Sequence, residues 1–336
     1  MPVAEPSPSK HVVVATHGHC FDGAASAALF TRLMSHIDGK NLTFSYRGCG
    51  YSPTSGPLGA DVLCGDVNAV LDYRYTTHPN LHWYFDHHAT AFADDEQREH
   101  YAQNRDGRRF HDPSYGCCAG LIVDVANQKF GLRVPELDPL VRWAHTIDTA
   151  SFDSAEEAIE RRHPVLRLMT VLEHQGNAST LARLVPRLAT QHVEEVASDA
   201  FVRRAWKRLA GHHRAFVKRV RDRSRPMGNV VLVDLSDEIR EVVGKFVTYA
   251  LFPQSSYSVV LSRGRSKLKL SIGFNPWSTL PRFHDISEIC ARHGGGGHAV
   301  VGAVALPVTE LERARQTALD IAEELDSCPT EPQPSR

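Results

Sequence analysis

The sequence predicts an α/β protein: an N-terminal doubly wound parallel sheet, a helical linker and a smaller C-terminal α/β domain. Three observations carry that expectation. Short apolar runs alternate with helical stretches over the first 150 or so residues, the pattern of a parallel sheet with crossover helices. Residues 154–225 are helical and charged with little β signal. Strand patterns then return from Val230 onward, with a hairpin and a closing helix. The domain limits that follow are 11–153, 154–226 and 227–326, with loose tails at 1–10 and 327–336.

The elements follow in order. His11–Thr16 is a β-branched run, a buried strand, and His17-Gly18-His19-Cys20-Phe21-Asp22-Gly23 comes straight after it. The alanine-rich stretch from Ala24 to Phe30 reads as a helix, with Asp22 as its expected cap. The polar cluster therefore lies on a strand-to-helix turn, where open α/β sheets bind ligands. Further strands are expected at Asn41–Tyr46, at Asp61–Asp66 with Asp66 at its carboxyl end, and at Leu81–Phe85, which runs into Asp86-His87-His88. Ala91–Arg109 reads as an exposed loop or frayed helix. Helices follow from Tyr115 and over Leu137–Thr146, the latter leading to Asp148. Val193–Val220 reads as one long amphipathic connector. After the strand at Val230–Val233 comes a helix over 238–249. A hairpin of Tyr257–Leu261 and Lys267–Ile272 turns near Gly264. A short helix, Ile286–Arg292, ends in His293-Gly294-Gly295-Gly296-Gly297-His298, before a last strand at Ala299–Leu306 and a helix at Val308–Leu325.

Composition narrows the function classes. At 336 residues the chain has room for two domains. Its formal net charge of −1 argues against a general nucleic-acid coat, which would be basic throughout. No apolar run is long enough for a spanning helix, and the first ten residues lack the apolar core of a signal peptide. Seven cysteines, an odd number without a C-x-x-C pair, point to a reduced, cytoplasmic protein rather than a disulfide scaffold. The 19 histidines, several beside acids, favour metal chemistry. A homodimer is compatible with these features, and a membrane partner is not expected.

Three strand ends thus deliver an acid, a histidine or both, and imidazole with carboxylate suits divalent manganese, iron or zinc. The order and spacing of His17, Asp66, Asp86-His87-His88, Asp148 and Gly294-Gly295-Gly296-Gly297-His298 resemble the DHH phosphoesterase superfamily with its glycine-rich C-terminal domain. The nearest likeness is to the nanoRNase and RecJ-like branch, and it covers the chain from about His11 to Leu306. The resemblance implies a metal-dependent phosphoesterase acting on phosphodiester or phosphomonoester bonds of short single-stranded RNA or DNA or of nucleotides. It implies two manganese ions, since a pair of metals can hold a hydroxide and clamp phosphate oxygens. Asp66 would bridge the metals, His17 and Asp22 would serve both, and His87 and Asp148 would complete the second. His88 would contact the phosphate or hold a neighbouring ligand, and Asp86 would orient an imidazole from behind or ligate directly.

One departure matters. The common first motif sets aspartates four and six residues after its histidine, whereas Asp22 lies five after His17. The pattern here is H-G-x-C-x-D-G. One carboxylate is missing, and either Cys20 or His19 is open as its replacement, which would shift preference toward zinc, iron or cobalt. The same gap motivates the alternative of a non-catalytic nucleotide-binding regulatory protein; a cyclic-dinucleotide phosphodiesterase is a third reading. For substrate binding the expected residues are Gly295, Gly296, Gly297 and His298, as an anion-binding backbone nest, with Arg263 and Arg265. The latter two share an alternating pattern with Lys267 and Lys269 that predicts one basic strand face. Trp277 is a candidate base-stacking residue, although a tryptophan at a strand end is more often packed.

Overall fold

The computed structural model describes residues 9–39, 41–50, 58–239 and 246–327. Residues 1–8 and 328–336 of the expected tails and part of the helix expected over 238–249 lie outside those residues; Lys10, expected in the tail, begins the first strand. The chain divides into two units, residues 1–151 with 162–209, and 152–161 with 210–336.

The first unit is built on β1 (Lys10–His17), α1 (Phe21–Asp38), β2 (Leu42–Cys49), β3 (Val67–Leu71), β4 (Trp83–Asp86), α2 (Asp95–Gln103), β5 (Arg109–His111), α3 (Cys118–Phe130) and α4 (Asp138–Asp148). Its five strands are parallel and run in the order β2-β1-β3-β4-β5. Val12, Val13, Val14 and Ala15 are wholly inaccessible, as a strand covered on both faces requires. The alanines of α1 (Ala24, Ala25, Ala27 and Ala28) are equally buried, so their small side chains let the helix lie close on the sheet. The strand order reverses between β1 and β3, and ligands bind at such a switch point, beyond the carboxyl ends.

Three expected elements differ. The strand anticipated at Asp61–Asp66 is a turn and loop, and β3 begins at Val67. The stretch 91–109 holds α2 and the start of β5. The long connector is broken: α8 (Val193–Ala197) stops, and Asp199 accepts from Phe201 N (2.7 Å) to start α9 (Ala200–Arg223). An aspartate that accepts from the backbone N–H two residues on competes with helix continuation.

The helices between the sheets do not form a separate layer. α5 (Ala155–Glu160) belongs with the second unit. α6 (Pro164–Gln175), α7 (Ala178–Leu188) and α8 belong with the first, α7 burying Leu181, Leu184, Val185 and Leu188 beside α1 and β2. Amphipathic helices of this strength find a core to cover.

The second unit contains β6 (Ser224–Met227), β7 (Val230–Ile239), α10 (Val247–Leu251), β8 (Tyr257–Arg263), β9 (Lys267–Phe274), α11 (Ile286–Arg292), β10 (Gly296–His298), β11 (Val301–Pro307) and α12 (Leu311–Asp326). Its sheet runs β10-β11-β9-β8-β7-β6, and only β7 and β8 are parallel. One face packs Val259, Leu261, Leu268, Leu270 and Ile272 against α11 and α12. The other packs Val231, Val233 and Leu235 against Val220 and Val247. No helix among the described residues is long and apolar enough to cross a membrane.

Candidate metal centre

The carboxyl ends of β1, β3 and β4 and the start of α1 converge on one cluster. His17 ends β1, and Cys20 is the N-cap of α1. Gly23 passes so close to β1 that a Cβ there would meet His17 O at 2.5 Å and Thr16 Oγ1 at 2.6 Å. Only glycine allows the helix to start this near the strand. Asp22, expected as the cap of α1, instead sits in its first turn and reaches across to α3. Its carboxylate accepts from Cys118 N (2.6 Å) and Ala119 N (3.0 Å), the free donors at that helix start.

Asp72 follows β3 directly. It is buried, has φ 53° and donates its N–H to Phe85 O (2.9 Å). A left-handed aspartate next to a cluster of ligands is the kind of local strain that functional sites hold. Asp66, expected as the bridging carboxylate, lies at the opposite end of the same strand. It is exposed and accepts from His11 N (2.8 Å) at the start of β1. The five residues of β3 separate it from the other expected ligands, whereas Asp72 lies among them.

His87 Nε2 lies 3.3 Å from Asp148 Oδ2, 3.6 Å from Asp72 Oδ1 and 3.8 Å from Asp22 Oδ2. Its other nitrogen, Nδ1, is fixed at Tyr115 O (3.0 Å). His88 Nδ1 bonds Asp86 Oδ1 (2.8 Å), and the hydroxyl of Tyr84 donates to Asp86 Oδ2 (3.2 Å). Asp86 is fully buried, and its hydrogen bond holds the His88 ring. Behind them, the His111 ring bonds His88 O (2.8 Å). Tyr115 and Cys118 as supports had no distinctive sequence signal, since their contacts run through main-chain atoms.

Three ligand groups result, each with donor atoms within 4.8 Å of one another: His17, Cys20 and Asp72; Asp72, His87 and His88; Asp22, His87 and Asp148. Cys20, not His19, joins the cluster. His19 turns away at φ 61°, its Nδ1 bonded to Glu173 O (3.0 Å).

The electrostatics are those of ligands without an ion. Burial, then Asp72 and Asp148, raise the carboxyl of Asp22 well above its usual range. Burial likewise raises Asp72 against the pull of His87 and His88. Burial with the same acids keeps the Cys20 thiol protonated. Burial lowers the affinity of His87 for its proton, but Asp72, Asp22 and Asp148 overcome it and lift the ring to about 9. His88 is raised by its bond to Asp86. Asp72 Oδ2 and His87 Nε2 are buried without a hydrogen-bond partner. An unpartnered carboxylate oxygen and imidazole nitrogen among hard and borderline donors fit a divalent cation, which would satisfy them.

The expected substrate residues belong to the second unit, and two of the readings for them change. Arg263 pairs with Leu268, and Ser262 with Lys269. Arg263 therefore shares the face of Leu261 and Leu270, opposite to Lys267 and Lys269, because the hairpin reverses the parity of the alternation. Arg265 is exposed in the turn. The glycine run is not an open nest. Gly294 N and Gly295 N donate to Ala291 O and Cys290 O, closing α11, and Gly296–His298 form β10. A Cβ on Gly295 or Gly297 would meet the backbone of β11, at Ala303 O (2.2 Å) and Val301 O (2.3 Å). Gly296, Gly297 and His298 remain exposed. Trp277 Nε1 donates to Phe152 O (2.7 Å) and the ring packs on Phe246, so this tryptophan is packed.

This architecture, a five-stranded parallel sheet and a second mixed sheet, is the fold of several solved structures. Among solved structures the chain is similar to the pGpG-specific phosphodiesterase PggH from Vibrio cholerae, with TM-score 0.66 and 18% identity, over 94% of this chain and 99% of that one. It is also similar to RecJ from Thermus thermophilus in complex with Mn2+ (TM-score 0.54, 12% identity), where 94% of this chain spans only 52% of RecJ. A third likeness is to the DHH domain of a protein assigned to a family of ribosomal proteins (TM-score 0.56, 11% identity, 94% of this chain and 88% of that one). No family model and no curated protein matches the sequence.

Proposed function

We propose that the protein is a metal-dependent phosphoesterase that hydrolyses short linear oligonucleotides or nucleotides. The observation that carries this reading is Asp72. It belongs to two ligand groups at once, with His17 and Cys20 on one side and His87 and His88 on the other. A shared carboxylate is what a pair of adjacent cations requires. His17, Cys20 and Asp72 would hold one, and Asp22, Asp72, His87 and Asp148 the other. Divalent ions there supply Lewis-acid polarisation of a phosphoryl oxygen and an acidified water.

The chain's own residues do the rest. Asp22 fixes the start of α3 while offering its charge to the cluster. Asp86 holds His88 with Nδ1 engaged, which leaves Nε2 to donate to a phosphate oxygen. The raised affinity of His88 for a proton suits a donor facing an anion. In the metal-free protein the proton on His87 neutralises part of the carboxylate charge, so metal loading releases it. The thiol of Cys20 favours manganese less than an aspartate would, and zinc, iron or cobalt more.

A substrate as small as a linear dinucleotide is favoured, because the likeness to the pGpG-specific enzyme spans nearly the whole of both chains. The test is turnover by metal-stripped protein reloaded with manganese, zinc, iron or cobalt, on pGpG, a short RNA oligonucleotide and a cyclic dinucleotide. Monophosphate release from pGpG or the RNA is the expected result. No turnover on any of them, with at most one metal bound, would leave the non-catalytic nucleotide-binding alternative.

A further inference from the structure

The ligand group of Asp22, His87 and Asp148 is drawn from three separate places: the first turn of α1, the end of β4 and the last turn of α4. One short segment, residues 115–119 at the start of α3, meets all three elements and supplies no ligand itself.

Two of its contacts are polar. Tyr115 O accepts from His87 Nδ1 (3.0 Å), which leaves Nε2 toward the carboxylates. Cys118 N and Ala119 N donate to the two oxygens of Asp22 (2.6 and 3.0 Å). The third contact is a matter of space. A Cβ on Gly116 would lie 2.5 Å from both Nδ1 and Cε1 of His145, and 2.7 Å from Cγ2 of Thr149. Gly116 is not among the residues with positive φ, so its backbone suits alanine and volume alone forbids it.

His145 and Thr149 flank Asp148, three residues before it and one after. The exposed His145 ring is free to swing outward, but the Thr149 methyl is not. The Thr149 hydroxyl donates to His145 O (2.6 Å) and is bonded to Ser151 Oγ (2.6 Å), which fixes its rotamer. Ser151 N donates to Thr146 O (2.9 Å), and Ala150 is left-handed at φ 58°, so the helix end is closed just beyond Asp148. A side chain at 116 therefore displaces the end of α4 as a body.

We infer that Gly116 is a positioning residue for one of two cation positions, the one at Asp22, His87 and Asp148. Its bare backbone seats the end of α4 on the segment that already holds His87 and Asp22, and so sets the 3.3 Å between His87 and Asp148. Ligands work only when held within about 0.5 Å of the geometry they need. The other group, His17, Cys20 and Asp72, is built on the ends of β1 and β3 and the cap of α1, so the two positions are separable. The assignment deepens the metal-dependent reading and rests on its two cation positions, not on the substrate.

The test is a cobalt titration of the metal-stripped full chain, with absorption spectra and metal content per chain by mass spectrometry. It compares the parent, Gly116→Ala, and Gly116→Ala combined with His145→Ala and Thr149→Ser. Thr149→Ser keeps the hydroxyl and removes the methyl. Cobalt on Cys20 marks the first position through sulfur-to-metal charge transfer, since a coordinating thiol is deprotonated. The parent is expected to bind two ions. Gly116→Ala is expected to keep the sulfur band and to bind the second ion about 10- to 100-fold more weakly. The combined variant is expected to recover the second ion to within about threefold of the parent. Two ions in Gly116→Ala at the parent's affinity overturns the assignment, as does equal weakening of both positions. If Gly116→Ala binds no cobalt at all, the combined variant decides: two ions support the assignment, and one or none overturns it. Fewer than two ions in the parent overturns the two-cation reading and this assignment with it. Turnover of pGpG by the parent tests hydrolysis separately.

Discussion

Strand β3 has an aspartate at each end, and the two live in opposite surroundings. Asp66, at the amino end, is exposed and accepts one hydrogen bond from the backbone of a neighbouring strand. Asp72, at the carboxyl end, is buried, left-handed, short of a hydrogen bond on Oδ2 and less than 4 Å from two imidazoles, at 3.6 and 3.8 Å. Residue type is the same and the strand is the same. What differs is the end of a parallel sheet at which each sits, since the crossover loops that carry ligands leave from the carboxyl side. An acid becomes a site residue here by position in the topology.

The comparison is broken most sharply by removing each charge. Asp72→Asn is expected to lower metal-dependent turnover by about a thousandfold or more, because the shared ligand of both cation positions is lost. Asp66→Asn is expected to leave turnover within about threefold, with less than about 1 kcal/mol lost from one exposed hydrogen bond. Steady-state kinetics and thermal unfolding of the two variants check both.

Next in size is the support of His88. Asp86→Asn keeps the shape and removes the charge that aligns the ring. Turnover is expected to fall about 10- to 100-fold, as for the partners behind metal-site histidines elsewhere. The pH profile should move with it, since Asp86 is what raises His88.

The first motif offers a smaller contrast of the same kind. Cys20→Asp restores the carboxylate of the common motif and is expected to shift preference toward manganese over zinc, measured as relative affinity in a competition titration. His19→Ala, which removes a ring bonded to Glu173 O, is expected to leave that preference unchanged.

The smallest effect is one of pH on the metal-free protein. His87 holds its proton to about 9 when folded, against an ordinary 6.5. Its contribution to stability is complete below about 6.5 and is lost as pH rises through about 9. Thermal unfolding in chelator should therefore move to lower temperature over that window. Saturating metal, which requires the neutral ring, should flatten the fall.

Much of this was legible in the chain itself. β1 announced itself as a run of β-branched and small apolar residues ending in His17, and β4 as an apolar run ending in Asp86-His87-His88. β3 was hidden by Asn68. This buried amide sits in an otherwise apolar run, Val67-Asn68-Ala69-Val70-Leu71, where it exchanges hydrogen bonds with Gly65 N (2.8 Å) and Gly65 O (3.1 Å). Its polarity broke the pattern, while Val62-Leu63-Cys64 upstream imitated a strand. The available signal was the recurrence: an apolar run that stops on an acid or histidine, as in β1 and β4, also describes Val67 to Asp72. The hairpin failed for a different reason. Period-two counting holds within a strand, but a turn can reverse it, so Arg263 and Lys269 point to opposite faces. The supports at Tyr115 and Cys118 act through carbonyl and N–H groups that nearly every residue possesses, and no side-chain pattern could have marked them.

The central claim is that Asp72, not Asp66, joins two cation positions. Metal content per chain after reconstitution and gel filtration tests it most directly, by mass spectrometry of the parent, Asp66→Asn and Asp72→Asn. The account predicts two ions in the parent and in Asp66→Asn, and at most one in Asp72→Asn. Two ions retained by Asp72→Asn, with one lost by Asp66→Asn, would contradict it.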